Sequence, residues 1–359
     1  MNKNLIHSEG DTYGKVFVVT TWGASHGPEM GVRIEGCPKD LKLSQKDIQK
    51  EVDRRKPKDP KISTTRVEKD EVLIESGIKN DKTDGNPITL TVKNENTRPQ
   101  DYKNILNSFR PGHADIAYFI KYGDLKETGG GRSSGRETVS RVMAGAVAKK
   151  ILKENNKTEI FGHTIQIGNI KTKDFNKDFI EENPLRTSDK SAFPKMIKLV
   201  ETARKNGDSV GAIIEIIIKN PPKGLGEPVF DKLDAELAKA LMSIGAIKGI
   251  EFGTGFKSAE MKGSQNNDQM EIENRKIHFL SNNAGGILGG ISTGEDIIIR
   301  LAVKPVPSIA KLQKTITKDL KNTQISVLGR HDCCLAPRII PVAEAMCAIV
   351  LTDMLLRQQ

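Results

Sequence analysis

Alternating apolar and polar positions near the start of the chain predict two neighbouring strands. Lys15 to Thr21 (KVFVVTT) have the β-branched and aromatic composition of a strand. Gly31 to Glu35 (GVRIE) alternate apolar with polar side chains, which is the pattern of a strand with one buried face. The stretch between them, WGASHGPEM, is therefore expected to form a loop.

A capped helix is predicted next. Ser44 is followed three positions later by Asp47, the spacing of a capping box in which each side chain bonds to the backbone N–H of the other residue. Leu43 and Ile48 stand on either side of this start and can form a hydrophobic staple. The helix continues to about Arg55, because a proline soon afterwards disfavours helical backbone before it.

The remaining apolar patterns predict paired strands and further helices. The strand candidates are Arg66 to Val67 with Val72 to Ser76, Ile88 to Val92, Val210 to Ile218 and Asp296 to Val303. The helix candidates are Arg136 to Leu152, Pro228 to Ser243 and Pro341 to Leu355. Small residues in the first helix allow a close approach to a neighbour, and the last helix is apolar nearly all round, so it must be covered on both sides. Paired strands without crossover helices favour an α+β fold over a doubly wound parallel sheet, with central helices enclosed by sheets.

Bulk properties narrow the class of protein. The 359 residues contain no linker, clear repeat or low-complexity segment, so we expect one domain over residues 1–359. No basic and apolar leader opens the chain, and two acidic residues interrupt the longest apolar run, so we expect a cytoplasmic protein that does not bind a membrane. The four cysteines lack the paired spacing of a metal site and are expected to be free thiols.

The net charge of +10 allows three interpretations: nucleic-acid binding, binding of small anions, or a lysine-rich surface without functional meaning. Aromatic residues for base stacking make up only 4% of the chain, which disfavours nucleic acid. Arginines concentrate beside glycine, serine and histidine, at Arg54, Arg55, Arg110, Arg132, Arg136 and Arg330. We therefore expect a small anionic ligand rather than a nucleic acid.

Two segments each place a histidine beside glycine. In GASHG, Ser25 and His26 could act as nucleophile and base, but adjacent side chains usually point apart and the segment does not match the nucleophile elbow of hydrolases. In RPGHAD, His113 precedes a predicted helix, where backbone amides favour an anion. The alternatives are a structural glycine turn for the first segment and a plain helix start for the second.

Two further segments carry arginine. GGGRSSGRET joins a glycine run, two hydroxyls and two guanidinium groups just before a predicted helix, which favours anion or phosphate binding over a flexible loop. It matches neither the Walker loop nor the dinucleotide fingerprint. GRHD contains Arg330, His331 and Asp332, which are suited to proton transfer, and the alternative is an exposed turn.

The order of these segments resembles a known family. From about Tyr13 to Leu356 the chain carries GASHG, DRR, RPGHAD, GGGRSSGRET, GDSVG, GLGEPVFDKLDA, NNAGGILGG, KPVPS and GRHD, and this series closely resembles chorismate synthase. The resemblance implies a large β-α-β sandwich that assembles as a homotetramer. It implies a lyase of the shikimate pathway that converts 5-enolpyruvylshikimate 3-phosphate to chorismate and phosphate by anti-1,4 elimination. Reduced FMN is the implied cofactor, without net redox change, and NADPH is implied only if the protein reduces its own flavin.

The resemblance also implies roles for individual residues. His26 would meet the leaving phosphate and His113 would protonate the reduced flavin, which suits imidazole because it exchanges protons near neutral pH. Asp332 would help to relay the proton taken from the substrate. The implied substrate contacts are Ser25, Arg55, Lys61, Arg110, Arg136 and Arg330. The implied flavin contacts are Arg132, Ser133, Ser134, Gly245, Ala246, Gly289, Lys304, Pro305, Val306, Pro307, Ser308 and Arg330.

Three of these positions or their neighbours depart from the family pattern. Ala24 replaces the glutamate that is usual in the family, Lys61 replaces an arginine and Gly245 replaces an asparagine. A lysine cannot form the two-pronged contact that an arginine makes with an anion. These departures suggest, as an alternative, a protein that binds flavin or phosphate but has lost activity. The charge suggests a second alternative, a basic RNA-binding protein.

Overall fold

The structure is a computed structural model that describes residues 9–60, 62–64, 68–95, 107–123, 128–327, 329 and 331–358. The first antiparallel sheet has the strand order β1 (Thr12–Tyr13), β2 (Val18–Gly23), β3 (Glu29–Glu35), β7 (Ile88–Lys93) and β4 (Leu73–Ser76). The second has the order β11 (Ile247–Phe252), β16 (Ile297–Val303), β10 (Ala212–Lys219), β8 (Glu159–Ile167) and β9 (Ile170–Lys171). Both sheets are antiparallel throughout, as predicted.

Four hairpins and eight α-helices complete the described part of the chain. The hairpins are β5 (Ile78–Lys79) with β6 (Lys82–Thr83), β12 (Met270–Glu273) with β13 (Lys276–Phe279), β14 (Ile287–Leu288) with β15 (Ile291–Ser292), and β17 (Gln313–Ile316) with β18 (Asn322–Ile325). The helices are α1 (Gln45–Arg55), α2 (Asp115–Tyr122), α3 (Thr138–Asn156), α4 (Phe179–Glu182), α5 (Phe193–Lys205), α6 (Leu233–Met242), α7 (Gly263–Asn266) and α8 (Ala336–Arg357). Short 3₁₀ turns lie at Glu9–Asp11, Thr128–Ser133, Gly135–Glu137 and Gly255–Glu260.

Helices α3 and α8 lie side by side between the two sheets. Helix α3 packs on β3 of the first sheet, and α8 packs on β8 and β10 of the second. One continuous cluster of buried apolar side chains includes both sheets and these helices, which supports a single domain. The predicted α+β fold, a β-α-β sandwich with buried central helices, is confirmed.

Local sequence signals explain several of these elements. Ser44 and Asp47 form the predicted capping box of α1, and the staple residues Leu43 and Ile48 are fully buried. The strands β2, β3, β4, β7, β10 and β16 and the helices α1 and α3 fall where apolar periodicity predicts them, with ends shifted by a few residues. Of the predicted pair Arg66 to Val67 with Val72 to Ser76, the first segment lies outside the described residues.

Two helices begin elsewhere than predicted. Helix α6 begins at Leu233 rather than Pro228. The N–H of Leu233 donates to the carbonyl of Gly290 (2.8 Å), and Leu233 is the first of the buried apolar residues that recur along this helix. Helix α8 begins at Ala336 and contains Pro341, the residue predicted to start it.

A buried arginine explains how α8 tolerates an internal proline. Pro341 has no N–H, so the carbonyl of Pro337 loses its helical partner. The Nη1 atom of Arg186 donates to that carbonyl at 2.7 Å, and its Nη2 atom donates at 2.7 Å to the carbonyl of Arg54 in the last turn of α1. Arg186 thus satisfies backbone groups on two helices, next to Arg55 and Arg338.

Helix α8 is long and apolar enough to cross a membrane by length and composition alone, but 89% of its most apolar stretch is buried inside the protein. All four cysteines are buried free thiols, as expected. Burial raises the pKa of Cys334, just before α8, to about 12, so its thiolate is not available as a nucleophile.

The contact between α3 and α8 gives a stability prediction. A Cβ atom at Gly145 would lie 2.2 Å from Cβ and 2.5 Å from Cα of Ala345. Gly145→Ala is therefore expected to lower the free energy of unfolding by about 1–3 kcal/mol in denaturant titrations, because backbone must move. Gly263→Ala is the control, since no atom lies within 4 Å of that position. Equal stability of the two variants would contradict this packing.

Candidate active site

The loop between β2 and β3 holds Ser25 and His26 in contact. Ser25 Oγ lies 3.0 Å from His26 Nδ1, so the expectation that these adjacent side chains point apart is wrong. The backbone explains this contact, because Gly27 N–H donates to the carbonyl of Ala24 (2.9 Å) and closes a tight turn. Asn94, which follows β7, donates from Nδ2 to the carbonyls of Ala24 (3.1 Å) and Gly27 (2.8 Å). A neighbouring strand of the first sheet therefore fixes the orientation of this imidazole.

A buried carboxylate joins two of the predicted substrate arginines. Arg136 donates from Nε to Asn94 Oδ1 (3.0 Å), and its Nη1 atom forms an ion pair with Asp70. The other oxygen of Asp70 lies 3.5 Å from Nη1 of Arg55. Arg55 also donates from Nε to Thr138 Oγ1 (2.9 Å) at the start of α3. The structure thus connects both arginines to the His26 loop through residues that the sequence patterns did not single out.

A third arginine, also missed from the sequence, lies beside Asp332. Arg338 Nη1 donates to Asp332 Oδ2 (2.6 Å), and Asp332 Oδ1 accepts the backbone N–H of Thr64 (2.9 Å). Burial, and then the charge of Arg338, lower the pKa of Arg55 to about 9, although Asp70 acts in the opposite direction. The three guanidinium groups of Arg55, Arg136 and Arg338 therefore lie within range of mutual repulsion.

Two donors in this cluster have no acceptor. The Nη2 atom of Arg136 and the Nε atom of Arg338 are buried and have no hydrogen-bond partner among the described residues. Buried donors in folded proteins are nearly always bonded, so an exception calls for an explanation. Oxygen atoms of an anionic ligand would supply the missing acceptors and would also offset the repulsion of Arg55 by Arg338 and Arg136.

A second group surrounds His113 ahead of α2, which begins where predicted. Arg110 forms a two-pronged ion pair with Asp115, with Nε–Oδ2 and Nη2–Oδ1 distances of 2.7 Å. His113 Nδ1 lies 2.6 Å from the same Oδ1 atom. Burial would raise the pKa of Asp115, but hydrogen bonds from Arg110 and His113 hold it well below its usual range. The ionised carboxylate orients the imidazole, so that Nε2 is the nitrogen that can face a ligand.

The segment 304–308 (KPVPS) adjoins this histidine. Lys304 Nζ donates to the carbonyl of Gly112 (2.5 Å), and Arg110 Nη1 donates to Ser308 Oγ (3.3 Å). The backbone N–H of Lys304 donates to the carbonyl of Ala246 (2.9 Å). Ala246 has a φ of +76°, a left-handed conformation that alanine rarely adopts. Such strain is often found where backbone is shaped for a ligand.

The segment around Arg132 links the two groups. The nitrogens of Arg132 donate to Asp11, to the carbonyl and hydroxyl of Thr21, and to the carbonyl of Gly23 at the base of the His26 loop. Ser133 hydrogen-bonds with Tyr118 of α2, the helix that follows His113. Arg132 therefore fixes the loop by contacts within the protein, and Ser133 connects it to the second group.

The chain is similar throughout to one family. Residues 17–356 match the family model described as chorismate synthase. Chorismate synthase of Methanosarcina mazei is 50% identical over 353 residues, covering 97% of this chain and 96% of that protein. Chorismate synthase of Methanocaldococcus jannaschii is 49% identical over 366 residues, with the same coverage of both chains. The chain belongs to the chorismate synthase family.

A solved structure agrees with this assignment. A crystal structure of chorismate synthase, 30% identical in sequence, aligns with a TM-score of 0.76 and covers 96% of this chain and 93% of that one. The chain is accordingly an enzyme, a lyase that acts on a phosphate-bearing substrate, as the sequence predicted.

Some of the predicted site residues lie in neither the group around His26 nor the group around His113. Gly289 lies in the turn of the β14–β15 hairpin, next to Gly290, which contacts the start of α6. Gly245 and Ala246 follow the other end of α6, a helix of ten residues that is about 15 Å long. Gly289 is thus separated from Ala246 within the chain. Lys61 and Arg330 lie outside the described residues.

Proposed function

We propose that this protein converts 5-enolpyruvylshikimate 3-phosphate to chorismate and phosphate by anti-1,4 elimination, with reduced FMN as cofactor. The observation that carries the proposal is the unsatisfied Nη2 donor of Arg136, which lies in a buried arginine cluster connected to His26. A ligand with one phosphate and two carboxylates matches that cluster, because its charges need paired cations when they leave water. Membership of the chorismate synthase family supports the same substrate.

The first group would bind the substrate and assist loss of phosphate. Arg55 and Arg136 are held by Asp70 before any ligand arrives, so little ordering is needed on binding. His26, oriented by Ser25, would donate a proton to the departing phosphate oxygen. Positive groups around that oxygen would stabilise the charge that develops there, an electrostatic contribution that is often the largest in catalysis.

The second group fits a reduced flavin. Apart from Gly245 itself and its two chain neighbours, no residue has an atom within 4 Å of the position that a Cβ would take at Gly245, so there is open space beside Ala246. Lys304, Ser308 and His113 border the same region with groups that can donate hydrogen bonds. If bound there in its reduced form, FMN would supply electron density to the substrate carbon that loses phosphate. His113 would hold a proton at Nε2, with Asp115 fixing the ring.

Asp332 would take part in moving the ring proton. Its carboxylate is oriented from two sides, by Arg338 and by the N–H of Thr64. An oriented carboxylate is suited to accept a proton when its partner groups leave one lone pair directed at the reacting region. The C–O bond to phosphate and one ring C–H bond break, the ring double bond shifts and a second one forms to give a conjugated diene, phosphate and a proton leave, and there is no net oxidation or reduction.

The reaction can be tested directly. With reduced FMN and no oxygen, the purified protein is expected to release chorismate and phosphate in equal amounts, and oxidised FMN should support no turnover. Flavin binding without product would favour the inactive alternative. RNA binding that weakens steeply with salt, without flavin binding, would favour the RNA-binding alternative. A parallel assay in air with NADPH as the only reductant tests whether the protein reduces its own flavin.

We further propose that the enzyme is a cytoplasmic homotetramer. Large apolar side chains are exposed on the subunit, including Ile120, Phe230, Phe256 and Leu320, each at least 78% exposed, and assembly would cover such surface. Buried free thiols suit a reducing compartment. Sedimentation equilibrium should give a mass four times that of the 39.5 kDa chain, and a monomeric mass would contradict the proposal.

A further inference from the structure

Arg338 forms an ion pair with Asp332, and binding of the substrate anions alone does not explain this pair. It lies in the first turn of α8, with its side chain 25% exposed, and its partner Asp332 is 9% exposed. The pair is joined by one contact of 2.6 Å, from Nη1 to Oδ2. Arg338 also repels the buried Arg55, which is a cost to folding.

A second arginine–aspartate pair on the same helix shows what a structural ion pair looks like in this fold. At the far end of α8, Asp353 pairs with Arg357 and accepts three backbone N–H groups, from Lys15 (2.9 Å), Val16 (2.7 Å) and Phe17 (2.9 Å). That carboxylate is saturated and ties α8 to the residues just before β2. Among the described residues, Asp332 accepts only Thr64 N–H and Arg338.

The surroundings of Arg338 hold it in a defined place. Its backbone neighbour Pro337 is fixed by Arg186, and the same guanidinium fixes the residue before Arg55. Arg186 is 1% exposed, so the position of its guanidinium group is fixed by the surrounding core. Arg338 therefore presents its charge to Asp332 from a fixed point on the helix, at the border of the cluster that contains Arg55 and Arg136.

We propose that Arg338 is a positioning residue that orients the Asp332 carboxylate to relay the ring proton which the substrate loses. This inference rests on the proposed function and deepens it. In this proposal Arg338 acts on the reaction through Asp332, which its Nη1 atom contacts; its Nε atom is buried and has no hydrogen-bond partner among the described residues. Arg338 acts on Arg55 together with Asp70, Arg136 and Glu137, and Asp332 acts on Cys333 together with Arg204 and Asp208.

The test compares Arg338→Met with Arg338→Lys. If Arg338 aims the carboxylate, Arg338→Met should lower kcat by roughly 10–100-fold, because misplacing a reacting group has effects of this size, while KM changes by less than about 3-fold. Arg338→Lys keeps one charged donor for the single contact and should recover most of kcat. With substrate deuterated at the ring position that loses hydrogen, Arg338→Met should give a larger isotope effect on kcat than the unsubstituted enzyme.

Two controls separate this role from a structural one. Arg357→Met breaks the other arginine–aspartate pair of α8 and should lower stability without changing kcat or the isotope effect. In an Asp332→Asn background, Arg338→Met should cause little further loss, because its effect passes through that carboxylate.

Each outcome decides the proposal. A raised KM with unchanged kcat would make Arg338 a substrate-binding residue and overturn the inference, as would additive effects of the two substitutions. An Asp332→Asn enzyme with full activity would also overturn it. Absence of turnover by the unsubstituted enzyme would instead contradict the proposed function, and the inference would fall with it.

Discussion

Replacing Glu344 with glutamine is expected to lower the free energy of unfolding by about 3–5 kcal/mol, because it leaves buried cations without their main partner. Glu344 lies in α8 and is fully buried. Its carboxylate accepts hydrogen bonds from Arg54 (2.6 and 2.9 Å), Lys149 (2.7 Å) and the backbone N–H of Gly162 (2.9 Å). One side chain thus joins α1, α3, α8 and β8. Glutamine keeps the shape but removes the charge.

Denaturant titration monitored by circular dichroism measures this effect. Glu35→Gln is the matched control, because Glu35 forms an ion pair with Arg33 (2.8 Å) in which both side chains are about half exposed. Exposed pairs of this kind contribute about 0–1 kcal/mol. A loss below about 1 kcal/mol for Glu344→Gln would show that this network does not stabilise the core.

The same carboxylate gives a dependence of stability on pH. Burial alone would raise the pKa of Glu344, but the charges of Arg54 and Lys149 and their hydrogen bonds lower it to about 2 from an ordinary value of 4.5. A folded-state pKa below the unfolded one stabilises the protein above the unfolded value, and that stabilisation is lost as pH falls through the folded value. The stability difference between the unsubstituted protein and Glu344→Gln should therefore be constant above about pH 4.5 and shrink towards pH 2.

Replacing His113 with glutamine is expected to lower kcat by about 10²–10⁴-fold, the usual contribution of a positioned proton donor. Glutamine can still bond to Asp115, which lies 2.6 Å from His113 Nδ1, but it cannot supply a proton from the ring position of Nε2. The fold should be retained, since His113 is not part of the buried core. The measurement is the rate of phosphate release with reduced FMN.

His278→Gln is the control for this substitution. His278 is about half exposed on β13, 3.6 Å from Glu271, and lies in neither group of the candidate active site. It should leave kcat unchanged. A His113→Gln enzyme that keeps more than about a tenth of the original kcat would contradict a proton-donor role for His113.

Local periodicity predicted most of the elements because their apolar faces point to one core. The capping box of α1 and the strands β2 and β3 follow from signals that span a few residues. The start of α8 did not, because Pro341 is tolerated only through Arg186, which is distant in sequence and contacts the carbonyl of Pro337. No pattern within the helix encodes that contact.

The sequence predicted which types of residue form the candidate site, but not which of them contact one another. The segments GASHG, RPGHAD and KPVPS indicated an anion site, and the structure joins the last two through Arg110 and Lys304. Asp70, Asn94 and Arg338 were missed, because an isolated acid, amide or arginine in a sequence gives no sign of what it contacts. Two points stay predictions. One is that a single domain spans residues 1–359, and the other is that Lys61 and Arg330 belong to the site.

A crystal structure of this protein with bound substrate and FMN would test the central claim most directly. We expect the substrate phosphate and carboxylates to contact Arg55, Arg136 and His26, with Arg136 Nη2 bonded to a substrate oxygen. The flavin should lie between the substrate and the region of His113, Lys304 and Ala246. A substrate bound elsewhere, or His26 and His113 in separate cavities with no ligand in common, would contradict the account.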